Sequence, residues 1–198
     1  KINPKHFESI FFLGVLLVQT HKFDIAKELF QKATQMKPDN ANAHYNLGNV
    51  LKELGEYEKA VSNYQNAIKN NPNFIEAHNN LGVLFRELGE LQKAKNCYKK
   101  VIEIQPNNAK AHSNLGNVLK ELGEREKSMQ YFKKALEIKP NFVEAQAKAK
   151  WLLGVAGEFR SRWVWSLSCQ KAPRNRNRQK LFCSQNVLFH SLSGLYHT

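Results

Sequence analysis

His44, His78 and His112 stand 34 residues apart, and imidazole is the commonest metal ligand among side chains. A zinc site needs its ligands to converge on one ion at about 2 Å. Equivalent side chains on successive packed helices stand ~8–10 Å apart instead, so the three read as one structural position seen three times. Cys97, Cys169 and Cys183 are an odd number with no CxxC spacing, which argues neither a metal knuckle nor a disulfide framework. Cys97 is expected to behave as a small, partly buried apolar residue. No glycine-rich phosphate loop, Ser-His-Asp set or paired carboxylates stand out. No catalytic residue, metal ligand or cofactor is therefore assigned, and an enzyme is not expected within this chain.

Amide chemistry is more informative. Asn46, Asn80 and Asn114 also recur every 34 residues, each just before a Leu-Gly pair, and Asn49 and Asn117 follow one helical turn later. A carboxamide both donates and accepts, so a ladder of them can pair with the main chain of an extended peptide whatever its side chains. Asparagine is a poor helix former, so three in register on a helix suggest a use. Tyr45 and the dipeptides Lys52-Glu53, Arg86-Glu87 and Lys120-Glu121 lie close to the row. They either offer charge and aromatic surface to a ligand or pair among themselves, at ~0.2–1 kcal/mol per exposed pair.

The elements that position these residues follow from the same period. Pro4, Pro38, Pro72, Pro106 and Pro140 are five of the six prolines, all 34 apart, and Gly14, Gly48, Gly82 and Gly116 keep the same step. Such a period is the mark of stacked helix–turn–helix units. In residues 41–74 the apolar set His44, Leu47, Gly48, Leu51 and Leu54 has helical spacing. The set Tyr57, Ala60, Val61, Tyr64, Ala67 and Ile68 repeats it. Gly55, Gly89 and Gly123 suit the turn between paired helices, whereas His21 takes that place in the first unit. Pro72 is expected to end the second helix and Asn73 to cap the next.

Eight positions of the second unit, His44, Leu47, Gly48, Leu51, Ala60, Tyr64, Ala67 and Pro72, match the tetratricopeptide (TPR) signature, with His for the usual Trp. The third and fourth units repeat it with small departures, such as Val101 and Ser128. The chain thus resembles TPR proteins over roughly residues 1–155. The resemblance implies an all-α right-handed superhelix whose first helices line a concave groove, with Asn46, Asn80 and Asn114 pointing into it. The asparagine row is similar to that of O-linked N-acetylglucosamine transferases and related bacterial TPR proteins. It implies a protein–protein interaction scaffold that binds extended peptides through Asn46, Asn49, Asn80, Asn114 and Asn117, tuned by Tyr45, Lys52, Arg86 and Lys120. The alternative is the substrate-docking arm of a larger glycosyltransferase or sulfotransferase. A carboxylate clamp fits less well: Asn49, Asn80 and Lys110 match, but Tyr45 and Asn114 stand where Lys and Arg are wanted.

The expected organisation is the end of an upstream repeat (1–6), four repeats (7–40, 41–74, 75–108 and 109–142), a partial or capping helix (143–157) and a non-repeat tail (158–198). Lys1-Ile2-Asn3-Pro4 aligns with Glu103-Ile104-Gln105-Pro106, so a further repeat is expected before it. Ile10–Val18 carries no polar side chain but is too short to span a bilayer. Its extra apolar face, Phe11, Phe12 and Val15, is expected to meet that preceding neighbour. In the capping helix, Lys148 and Lys150 are expected to face solvent. Residues 159–198 hold no Asp or Glu and supply +7 of the net charge of +13. Arg174, Arg176 and Arg178 with Trp163, Trp165 and Phe182 form a basic–aromatic stretch. A solvated, disordered run explains it better than a nucleic-acid partner. No membrane association is expected, and nothing in the chain needs an oxidising compartment, which favours the cytoplasm.

Overall fold

The computed structural model describes residues 4–154 of the chain. Among the described residues every regular element is a helix. They run α1 (Pro4–Gln19), α2 (Phe23–Met36), α3 (Ala41–Glu53), α4 (Tyr57–Asn70), α5 (Ile75–Glu87), α6 (Leu91–Ile104), α7 (Ala109–Glu121), α8 (Arg125–Ile138) and α9 (Val143–Gly154). The chain divides into residues 1–148, which hold the helix stack, and residues 149–198, of which only the end of α9 is described. The basic tail, with Cys169 and Cys183, lies outside the described residues.

Each helix from α1 to α8 packs against its neighbours in sequence, the contact pattern of a solenoid. The paired helices approach closely because one of each pair carries glycine where the other carries a ring. A Cβ on Gly48 would stand 2.9 Å from the Tyr64 ring, and on Gly82 or Gly116 it would meet Tyr98 or Phe132 at the same distance. These rings are fully buried, and Tyr64 and Tyr98 share one continuous core with Leu51, Leu84, Leu115 and Leu119. Gly55 turns the chain between α3 and α4 at φ 76°, and His21 adopts the same left-handed conformation at φ 56°. Both turns close with the equivalent main-chain hydrogen bond, Glu56 N–H to Leu51 O at 2.8 Å in one and Lys22 N–H to Leu17 O at 2.9 Å in the other.

Several local expectations shift. α4 ends at Asn70, two residues before Pro72, and α5 starts at Ile75 with Phe74 rather than Asn73 at its N-cap. The capping position is the next one along. Asn40 accepts from Ala43 N–H at 2.8 Å and Asn108 from Ala111 N–H at 2.9 Å, while Phe74 has no side-chain oxygen to offer. α1 begins at Pro4, since proline is accommodated in a first helical turn. Of the three residues expected on an extra apolar face, Phe11 and Val15 pack onto the core. Phe12 is 64% exposed, together with Leu13 and Leu16. Among the described residues no helix is long and apolar enough to cross a membrane.

Candidate peptide-binding face

The histidine row has a structural task. Nε2 of His44, His78 and His112 donates to the main-chain oxygen of Pro38, Pro72 and Pro106, at 2.9, 3.0 and 2.8 Å. A carbonyl only accepts, so Nε2 carries the proton. Gln146, one period beyond His112, makes the same bond to Pro140 at 2.6 Å. Each first helix is thereby tied to the loop that precedes it. Among the described residues no group of His, Cys, Asp and Glu comes together to hold a metal. Burial pushes the Cys97 thiol up to about 11, which suits the packing role expected of it.

Side chains of α3, α5, α7 and α9 meet on one face. Asn46, Asn80 and Asn114 occupy equivalent half-buried positions there. Asn46 Nδ2 donates back to the Asn42 carbonyl at 2.9 Å. Asn80 Nδ2 instead reaches across the repeat boundary to Asn49 Oδ1 at 2.8 Å and Tyr45 Oη at 3.2 Å. Asn49 Oδ1 also accepts from the Tyr64 hydroxyl at 2.8 Å, and burial raises that phenol's pKa. Tyr45 lies against Phe74, ring centroids 4.9 Å apart. Asn49, Tyr45 and Asn80 are thus a clasp between the second and third repeats. Asn117 is only 4% exposed and presents almost no surface to a ligand.

The charges near the row are largely paired. Lys52 lies 3.6 Å from Glu53, and Arg86 Nε donates to Glu121 at 3.0 Å across the gap between α5 and α7. Lys148 was missed as part of this face, although adding one period to Asn114 finds it. It is half-buried rather than solvent-facing. Burial holds its ammonium below the ordinary lysine range, Glu144 opposes this, and Arg86 and Lys120 add to it. The row therefore changes from carboxamide to cation at α9, and at α1 its equivalent is the exposed Phe12.

Comparison with known proteins agrees with the helix stack. Models described as TPR repeat match residues 48–86 and 82–123, and models of the tetratricopeptide repeat match 7–40, 29–62 and 109–142. No match is found among curated protein sequences. The crystal structure of MamA is 30% identical, with a TM-score of 0.66, over 75% of this chain and 83% of that one. YrrB, described as a TPR protein with an unusual peptide-binding site, is 30% identical with a TM-score of 0.64, over 69% of this chain and 71% of its own. MamA from Desulfovibrio magneticus RS-1 shares the fold alone, at 17% identity and a TM-score of 0.73, over 81% and 90% of the two chains. Matched unit by unit from residue 7 to residue 142 and sharing its stack with these solved proteins, the chain belongs to the tetratricopeptide repeat family.

Proposed function

We propose that the chain is a protein-interaction scaffold that captures extended peptide segments along the face formed by α3, α5 and α7. Asn46, Asn80 and Asn114 pair with the ligand's main chain, and Tyr45, Lys52, Arg86 and Lys120 tune the choice of side chains. The observation that carries this reading is the spare hydrogen-bonding capacity of the row. Among the described residues Asn46 and Asn80 use their amide nitrogens, which leaves each side-chain oxygen to accept a peptide N–H. The peptide-binding site in YrrB's description supports the same role for this face. The asparagine row is also what likens it to the arms of O-linked N-acetylglucosamine transferases. Joined to a glycosyltransferase or sulfotransferase domain, the face would present substrates to it. A flexible peptide must be ordered on binding, so the affinity is on the order of micromolar, about −8 kcal/mol.

The test is selection from a diverse peptide library by the full chain, beside a variant carrying Asn46→Ala, Asn80→Ala and Asn114→Ala, with circular dichroism on both. Enrichment of extended peptides by the parent and its loss in the folded variant is the expected result. Equal binding by the two proteins, or none by the parent, would rule the reading out.

A further inference from the structure

The clasp between the second and third repeats has a counterpart one period later in which the partners do not close. Moving Tyr45, Asn49, Tyr64 and Asn80 on by 34 residues gives Asn79, Val83, Tyr98 and Asn114. The scaffold beneath is unchanged: α5 and α6 repeat the spans of α3 and α4, and a Cβ on Gly82 would stand 2.9 Å from the Tyr98 ring, as one on Gly48 would from Tyr64. The polar atoms differ. Val83 removes the carboxamide oxygen that receives the Tyr64 hydroxyl in the earlier unit. As a result the Tyr98 hydroxyl, on a fully buried residue, has no hydrogen-bond partner among the described residues. Neither does the buried side-chain oxygen of Asn79, while Asn114 is half-exposed at the position from which Asn80 closes the earlier clasp.

Buried polar groups in native proteins are nearly always paired, and an unpaired one marks a strained or functional place. Here the unpartnered atoms are a hydroxyl that can donate or accept and a carbonyl oxygen that accepts, and the half-exposed Asn114 carboxamide can do both. A peptide unit carries the matching N–H and C=O. We infer that the Asn79–Tyr98–Asn114 set, between α5, α6 and α7, is the anchoring subsite for one main-chain amide of the bound peptide. This deepens the peptide-capture reading and rests on it. The ligand reaches the buried hydroxyl by displacing half-exposed side chains, Asn114 and the Arg86–Glu121 pair. Arg86, Glu87 and Glu121 are the charged residues that bear on the Tyr98 phenol. Exposed pairs of this kind reorient at little cost.

The two tyrosines make the test internal to the molecule. Tyr64→Phe, Tyr98→Phe and Val83→Asn are made in the full chain, and melting temperature and affinity for one labelled peptide from the library selection are measured. Tyr64→Phe breaks the closed clasp and is expected to lower the melting temperature. Tyr98→Phe removes an unpartnered hydroxyl and is expected to leave it unchanged or raise it, while weakening peptide binding at least about fivefold. Val83→Asn restores the missing carboxamide, so it should raise the melting temperature and weaken binding in the same way. A fall in melting temperature for Tyr98→Phe as large as for Tyr64→Phe would overturn the inference, because the hydroxyl would then already have a partner. So would binding by Tyr98→Phe within about twofold of the parent. If that occurs while the triple asparagine variant has lost binding, the groove reading stands and only the subsite falls. If the parent selects no peptide, both fall together.

Discussion

His21 shows how one residue can carry a cost that its neighbours avoid. The other three intra-repeat turns place glycine at φ 75–80°, and His21 holds the corresponding position at φ 56° with a Cβ present. The left-handed region costs a non-glycine residue about 1–2 kcal/mol. Part of that is returned because a glycine has more freedom to lose on folding. The edge contact of its ring with Phe23, at 5.6 Å between centroids, returns a little more. His21→Gly is therefore expected to stabilise the chain by up to about 1 kcal/mol, read as an increase in urea midpoint with an unchanged slope. The turn glycine was legible by its absence, since the period alone says where it belongs. The histidine row was only half legible: its repetition excluded a metal centre, but its bond to the proline carbonyls depends on a loop that no spacing describes.

At the scale of elements, two unit boundaries are fastened by carboxylates at the start of α4 and α8. Glu56 receives Lys27 at 2.8 Å and Lys59 at 2.6 Å, and Glu124 receives Lys95 and Lys127 at the same distances. Hydrogen bonds from Lys27 and then Lys59 bring the Glu56 carboxyl from 4.5 down to about 2, and Lys127 and then Lys95 do the same for Glu124. A lowered folded-state pKa stabilises above the unfolded value, and the gain is lost as pH falls through the folded one. The double variant Glu56→Gln, Glu124→Gln should thus melt below the parent at pH 7. The gap should close between about pH 4.5 and about pH 2, seen by thermal scans in a buffer series. Lys27 and Lys95 lie two periods apart, and Val61 stands between them where the lysine would be. That alternation was visible in the sequence. Its meaning was not, because the paired groups come from different repeats.

For the whole molecule, the balance of charge against amide contacts on the proposed peptide face decides how binding should respond to salt. Lys52 and Arg86 already have carboxylate partners, so few free charges are offered to a ligand along α3 and α5. If main-chain pairing to the asparagines carries binding, raising salt from about 0.1 to about 0.5 M should change peptide affinity by less than about threefold. Titration of the labelled peptide by fluorescence anisotropy measures this. A drop of tenfold or more would move the main interaction to charge. Peptides with an acidic residue near α9 should show the greatest salt response, because Lys148 with Arg86 and Lys120 is where the face is most cationic.

The sequence by itself determined the solenoid, its unit length and the positions that share a face. Each of these is a property of one unit, and a fixed period copies it along the chain. Only the tertiary structure decided which of the repeated side chains are spent on neighbouring repeats. Asn80 closes on Asn49 and Tyr45, Asn117 is buried, and Tyr98 is left without the partner that Tyr64 has. The physical reason is that a hydrogen bond between repeats depends on two residues about one period apart, and its outcome turns on small differences such as Asn49 against Val83. Periodicity averages those differences away, and packing restores them.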